Sequence, residues 1–424
     1  MSYFSNVAIN RFNLHYAVQT LAQAAGGIFL LVFMLRAGVP AAITLVAMAA
    51  IVAQRFIVRS GVLPLARRIG LRRTLMLGTA LEALAFPLLA QVRGVDGWFV
   101  ALCLVTPLGS ALYWTCYHAY FTALGDTEGR GGQVAFREAM AAMIGIVAPL
   151  IGGWALANEG PRIMFAGVAL LQLAAVVPLI GGPEVAIRAE APGGLRAAGF
   201  GAALMAADGW FAACYYHVWS IALFVTLKQD FSAYGGAMAL AALAAAACGL
   251  AMGRVIDLGH GRKALTAAYG VAAGVVALRA ASIGSPWLAV GANAAGALVL
   301  ALMVPVLMTP VYNAAKASPC PLRFHIATEG GWDIGCGAGC LVPRPSWRRA
   351  TPWPRRSCWR WPAPRPGSRC CGASTDGPDD ASVTKTRHKG RGRRVAGVGR
   401  GLAGGNSGRD HRPGGSWRGL RPAT

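Results

Sequence analysis

Gly253-Arg254-Val255-Ile256-Asp257-Leu258-Gly259-His260-Gly261-Arg262-Lys263 is a short, polar, basic interruption between two long apolar runs, one ending near Met252 and one starting at Ala264. Its make-up suits a tight hairpin between two membrane helices. Glycines permit close backbone approach and positive φ. Asp257 is placed to cap a helix start, and the basic pair Arg262-Lys263 holds the loop on the cytoplasmic side. The chain around it agrees: 424 residues, 55% apolar and 13% charged, a membrane-like composition rather than a soluble one.

A spanning helix needs about 20 mostly apolar residues. Working outward from the hairpin, runs that satisfy this are 14–35, 38–58, 74–93, 97–121, 135–157, 162–181, 199–227, 232–252, 264–284 and 286–312. An eleventh begins near Leu322 and runs to Val342, and no twelfth follows. Met1 to Asn10 carry no charge, and no small-residue cleavage site closes a short apolar core, so the first run is expected to stay as a helix. With the N-terminus inside, sixteen basic residues fall on the cytoplasmic side, among them Arg11, Arg55, Arg59, Arg72 and Arg73. Five fall outside: Arg36, Arg93, Arg162, Lys228 and Arg279. That asymmetry sets the orientation.

The hairpin resembles the loop signature of the major facilitator superfamily of transporters: Gly, three residues, Asp, a short gap, then Gly and two basic residues. Gly253, Asp257, Gly261, Arg262 and Lys263 fill it, with one extra residue before Gly261. The resemblance implies a second copy in the first half, and Leu63–Arg73 occupies its place. That copy keeps Gly70, Arg72 and Arg73 but has Leu63 for the first Gly and Arg67 for the Asp. Ala148-Pro149-Leu150-Ile151-Gly152-Gly153 is similar to the Gly-Pro-x-x-Gly-Gly stretch of family antiporters, with packing alone as the other reading. The fourth run lacks the arginine found there in many drug/proton antiporters of the family.

The resemblance implies an all-α polytopic membrane protein of two pseudo-repeated six-helix bundles, the last helix or two truncated or replaced. Its expected parts are a first bundle at 1–181, a cytoplasmic linker at 182–198, an incomplete second bundle at 199–342 and a tail at 343–424. One trace of the repeat is Phe136-Arg137-Glu138-Ala139 opening the fifth run and Phe324-His325-Ile326-Ala327-Thr328-Glu329 opening the eleventh. The implied work is secondary transport of a small solute across a bacterial inner membrane, by rocking of the two bundles around a midplane site. Proton coupling stays open, as does symport against antiport. The expected partners are the small-molecule substrate and membrane lipid, with a monomeric state, no nucleic acid and no cofactor. No Gly-rich nucleotide loop is present, which argues against an ATP-driven pump. A membrane-embedded enzyme would have only His118, Asp208 and His217 to draw on, without a nucleophile motif; a sensor or lipid-scrambling role remains a further rival.

Polar groups inside membrane helices are costly and mark functional candidates. His15, Gln19 and Gln23 lie four apart on one face, as a transport path or as helix-to-helix hydrogen bonds. Glu82 falls mid-helix in the third run. Tyr113, Tyr117 and Tyr120 share a face of the fourth, beside His118, as a cavity wall for a ring-bearing solute or as an interfacial aromatic belt. Asp208 lies about 13 Å into the seventh run by the helix rise, a candidate ion or proton site; His217 reads as a packing residue nearer the outer face. Asn293, Tyr312 and Asn313 are further path candidates in the tenth run. Glu329 and Asp333, one turn apart on the eleventh, and Glu138 at the equivalent place in the fifth, are the coupling candidates. Two neighbouring carboxyls resist ionising together, so that pair is expected to hold a proton or cation.

After Val342 the texture changes. Residues 1–342 hold 21 Lys and Arg against 13 Asp and Glu, whereas 343–424 hold 19 against 4, and this divides the formal charge of +23 between two unlike regions. The tail is rich in Arg, Pro, Gly and Trp, lacks helical or strand periodicity, and cannot build a core. Cys358, Cys370 and Cys371 lack the spacing of a zinc site. Three readings are a basic tail touching anionic lipid or nucleic acid, a small zinc or nucleic-acid module, and the favoured one: out-of-frame translation of a GC-rich gene. A frameshifted carrier without its twelfth span would transport little or nothing.

Overall fold

The computed structural model describes residues 7–124, 130–188, 190–257 and 261–342, apart from the side chains of 130–139, 248–257, 261–268, 301, 302, 305, 306 and 309. The expectations placed on the side chains of Glu138, Gly253, Asp257, Gly261, Arg262 and Lys263, and on the tail, lie outside the described residues.

Among the described residues eleven helical passages follow one another, close to the hydropathy runs, and are numbered as spans. α1 (Val7–Ala25) passes through a 3-10 turn into α2 (Leu30–Arg36) as the first. α3 (Ala41–Val58), a 3-10 turn at Arg59–Gly61 and α4 (Val62–Ile69) make the second; α5 (Leu71–Ala83) and α6 (Ala85–Leu89) make the third. α7 (Gly97–Leu124), α8 (Arg130–Asn158) and α9 (Pro161–Ala174) are the fourth to sixth. A short α10 (Gly194–Ala197) leads into α11 (Gly199–Ala212), which runs through a π-helical turn at Ala213–Val218 into α12 (Trp219–Thr226), the seventh. α13 (Phe231–Asp257), α14 (Gly261–Ala281), α15 (Pro286–Ala317) and α16 (Pro321–Leu341) complete the set. Among the described residues five helical stretches are each long and apolar enough to cross a membrane: Val7–Arg36, Ala41–Ile69, Gly97–Leu124, Met140–Asn158 and Pro161–Leu179. Ile57, Met143, Leu170 and Val225 stand exposed, as they would on a multi-pass membrane protein whose outer surface meets lipid. Trp98, Trp154 and Trp287 are exposed at the start of α7, late in α8 and at the start of α15. In an alternating topology these points share one membrane face, which is where amphipathic indoles collect.

Packing reproduces a repeat of six spans. The first packs on the fifth as the seventh packs on the eleventh; the second packs on the fourth as the eighth packs on the tenth. The halves meet where the second touches the eleventh and the fifth touches the eighth, contacts that exchange under the repeat. Small residues make the close seams. Gly331 and Gly335 of α16 lie so near the Ala202 and Ala206 carbonyls of α11 that a Cβ on either would overlap them. Gly153 of α8 lies equally close to the Phe231 carbonyl, and Gly235 of α13 to the Pro149 carbonyl. Packing therefore accounts for the small residues of Ala148–Gly153.

Two features depart from expectation. Leu63–Arg73 is not a loop: helix continues to Ile69, and the chain turns only at Gly70, whose φ of +96° favours glycine. The acid missing at Arg67 is supplied from beyond the sixth span. Glu184 accepts the Arg72 backbone N–H at 2.8 Å and meets its guanidinium at 3.5 Å, satisfying an otherwise unpaired donor in the first turn of α5.

Apolar clusters draw the two halves together at both ends. One gathers Phe29, Phe33, Phe224, Phe231 and Tyr234 from the first, seventh and eighth spans. The other, at the end carrying the loop signature, gathers Phe12, Tyr117, Phe121, Tyr312 and Leu322.

Candidate functional site

Between those clusters lies a network of buried charge. Arg55 and Arg59 stand four residues apart on the second span, so they share a face; Arg59 is 2% exposed. Both reach Asp333 of α16, one to each carboxylate oxygen. Arg59 donates to Oδ2 through Nη2 at 2.6 Å and Nε at 3.2 Å, and Arg55 donates to Oδ1. Glu329, one turn below, places one oxygen 3.4 Å from His118 Nε2 and the other 3.9 Å from Arg59 Nη1. Arg59 also donates to the Thr115 hydroxyl. His118 Nδ1 lies 2.7 Å from the Tyr312 hydroxyl, and Thr122 Oγ1 lies 3.0 Å from His325 Nε2. The second and fourth spans are thus tied to the tenth and eleventh by side chains alone. Glu329 and Asp333 do share a face, but they do not form an isolated acid pair; Asp333 takes both arginines, and Glu329 takes His118 and Arg59.

A cavity of about 500 Å³ opens beside this network. Tyr16, Trp114, Tyr117, Phe211, Tyr216 and Trp332 supply its aromatic walls. Arg55, His118, Asp208, His217, Tyr312 and Glu329 supply its polar groups. Asp208 Oδ2 accepts the Trp332 indole N–H at 3.1 Å. The expectation for His217 is corrected: it lines the cavity, and its Nε2 has no hydrogen-bond partner. The cause is the π-helical turn. Nine residues of regular α-helix would set Asp208 and His217 about 180° apart, whereas the wider turn at Ala213–Val218 slows the rotation and returns His217 to the same space. Arg279, counted among the basic residues on the outer side, is buried against that turn. It donates to the Tyr215 carbonyl at 2.8 Å and lies 3.9 Å and 4.7 Å from the Tyr215 and Trp219 rings.

Of the sequence candidates, Tyr117, His118, Asp208, Tyr312 and Glu329 line the cavity, and Asp333 lies in the adjoining ion pairs. The others lie elsewhere. His15 donates through Nδ1 to the Ala175 carbonyl at 2.7 Å. Gln19 donates to Glu82 at 2.6 Å, Gln172 donates to Glu82 at 3.1 Å and also to Gln19, and Gln23 reaches Gln172 at 3.5 Å. This network braces the first, third and sixth spans against one another. Tyr113 is buried behind Tyr117, the rings stacked at 5.6 Å. Tyr120 turns to the linker, donating to the Pro183 carbonyl at 2.7 Å. Asn293 braces the second half, accepting from Trp219 at 2.9 Å and donating to the Ala237 carbonyl at 3.0 Å. Sequence reasoning missed Tyr16, Trp114 and Trp332 as cavity walls, and it counted Arg55 and Arg59 only as flanking positive charge. Their spacing of four at the end of an apolar run was the available signal.

Solved structures share this fold. A D-xylose-proton symporter is 15% identical over 80% of this chain and 89% of its own, with a TM-score of 0.55. FucP, a major facilitator superfamily transporter in an outward conformation, is 13% identical over 80% and 91%, with a TM-score of 0.56. This chain has the major facilitator fold. PepTSo, a transporter of the POT family, is similar too, 12% identical over 79% and 88%, with a TM-score of 0.56. No family model and no curated protein matches the sequence. Within the major facilitator fold, the cavity and ion pairs described above lie at the junction of the two halves.

Proposed function

We propose that this chain is a secondary transporter moving a small solute across a bacterial inner membrane by alternating access, as a monomer without a cofactor. The moving parts are residues 1–181 and 199–342, joined by the linker 182–198, with the N-terminus cytoplasmic. One observation carries this reading: the cavity lies between the halves, and ion pairs join the halves beside it. Charges buried this way hold strongly while dry and separate cheaply once water reaches both partners. Such contacts can break and re-form as the halves rock. The neighbours' own work, D-xylose-proton symport among them, supports a solute carrier of this class.

Proton coupling is assigned to Glu329, which faces His118 and Arg59 across the junction. The test is reconstitution of the purified chain in liposomes, with solute uptake followed with and without an imposed pH gradient. Glu329→Gln should abolish the gradient-driven part while solute exchange survives. An unchanged response removes Glu329 from coupling, and absence of both uptake and exchange for sugars, peptides and organic cations removes the transport reading.

The compositional break after Val342 favours a second reading, a defective carrier from a frameshifted gene. The coding DNA decides it: an apolar run of about 20 residues in another frame downstream supports a lost twelfth span, and its absence counts against one.

A further inference from the structure

We infer that the cavity takes an organic monocation with an aromatic or alicyclic body, and that Asp208 is its counter-ion. This builds on the transport reading and names the class of solute that the same site accepts.

The first ground is charge. Arg55 and Arg59 face Asp333 and Glu329, two cations against two anions. Asp208 is left over. Among the described residues it has no cationic partner; its one hydrogen bond is from the Trp332 indole to Oδ2, which leaves Oδ1 without one, and Asp208 lines the cavity. Asp208 is half-buried in a largely aromatic and aliphatic wall; a carboxylate partly removed from water gains from a compensating charge, and a ligand ammonium or guanidinium supplies one. Arg55 does not offer a rival anion site, because Asp333 holds it on one side and the Trp332 ring lies 4.8 Å away on the other.

The second ground is the wall. The rings of Tyr16, Trp114, Tyr117, Phe211, Tyr216 and Trp332 offer π faces that attract a cation and apolar area that suits its body. Met205, Met303 and Met308 add soft, adaptable surface that tolerates different shapes. No Asn, Gln, Ser or Thr is among the described lining residues. A sugar would have to meet its hydroxyls with the ionised and aromatic groups, several of which already engage one another: His118 with Glu329 and Tyr312, and Asp208 with Trp332. The volume of about 500 Å³ exceeds that of a simple inorganic ion.

The third ground is His217. Its Nε2 is buried at the cavity edge without a partner, brought there by the π-helical turn that Arg279 braces. It is an unsatisfied hydrogen-bonding group beside the space that Asp208 lines.

The experiment is equilibrium dialysis of the purified full-length chain with radiolabelled benzyltrimethylammonium and tetraphenylphosphonium, set against benzenesulfonate and D-xylose. At least one of the two cations is expected to bind saturably at one site, and the anion and the sugar are not. Asp208→Asn should weaken cation binding by about tenfold or more, the worth of a charged contact, and Asp208→Glu should restore most of it. If Asp208→Asn loses its cooperative thermal transition, Trp332→Phe carries the test, since it keeps a ring and drops the N–H that fixes Asp208; it should weaken the cations several-fold. Failure of both cations, equal binding of D-xylose or benzenesulfonate, or unchanged cation affinity in the folded variant overturns the inference. The two readings fail differently. Binding without movement in liposomes defeats transport and leaves the site standing. Movement of a neutral solute indifferent to Asp208→Asn defeats the site and leaves transport standing.

Discussion

Replacing Asp333 by Asn strands two guanidiniums in the junction between the halves. The Asp333 side chain is fully buried, and the Arg55 and Arg59 side chains are 9% and 2% exposed. Removing one partner of a buried pair costs about 3–5 kcal/mol, because the other charge stays dry and unpaired. Arg59 keeps Thr115 and Glu329, so the lower end, about 3 kcal/mol, is the appropriate figure. Separating the halves at the loop-signature end lets water reach both arginines and relieves that cost. The substitution should therefore shift the population toward the state open at that end by about a hundredfold, at roughly 1.4 kcal/mol per tenfold. A cysteine at Met308, a cavity residue late in the tenth span, reports the shift in a chain whose native cysteines are replaced. Its labelling by a membrane-impermeant maleimide in inside-out vesicles should accelerate by one to two orders of magnitude, roughly the population change. Adding Arg55→Leu removes one stranded charge and should slow labelling again. Rates unchanged by Asp333→Asn, or acceleration indifferent to Arg55→Leu, would refute the reasoning.

Other perturbations test other parts of the account. Gly335→Leu forces a side chain into the Ala206 carbonyl and should cost about 1–3 kcal/mol, read as a lowered melting temperature; an unchanged transition speaks against the close seam. Asp96 accepts N–H groups from Phe99 at 2.8 Å and Arg93 at 3.0 Å at the start of α7, and the Phe99 hydrogen bond chiefly holds its carboxyl below the ordinary value of 3.8. A depressed acid stabilises above its unfolded value and loses that effect as pH falls through the folded one. Thermal stability should therefore drop on acidification below about pH 4, and Asp96→Ala should flatten the drop; equal acid sensitivity in both chains contradicts the cap. Reporter fusions near residues 94 and 160 should read as outside and near 70 and 259 as inside, and an inside signal at 160 breaks the topology.

Much of this fold was legible as hydropathy. Apolar runs predict spans because a helix satisfies its own backbone groups in lipid, and among the described residues the eleven runs lie where eleven helical passages do. Breaks inside spans were not legible. The helix through Leu63–Ile69 looked like a loop because Arg67 and Arg68 are basic, yet basic side chains are tolerated on a helix that ends at the interface. The site was half legible. Asp208, His118, Tyr117, Tyr312 and Glu329 are rare polar or ring-bearing groups in apolar runs, and they do converge. Helical spacing says which residues share a face but not what that face meets. His15 turns to the Ala175 carbonyl, and Gln19 and Gln23 to Glu82 and Gln172, rather than to the cavity, and Arg55 finds Asp333 278 residues along the chain. His217 needed the π-helical turn, for which the sequence carries no plain mark.

Reciprocal opening of the two ends is the measurement that bears most directly on transport by this chain. Spin labels on Arg68 and Ser318 report across the loop-signature end, and labels on Gly38 and Lys228 report across the opposite end. Pulsed electron resonance on reconstituted protein, with pH and candidate solutes varied, gives the distance distribution of each pair. The account predicts two populations in each pair, with one end long whenever the other is short. Fixed single distances at both ends, or both ends widening together, would contradict it.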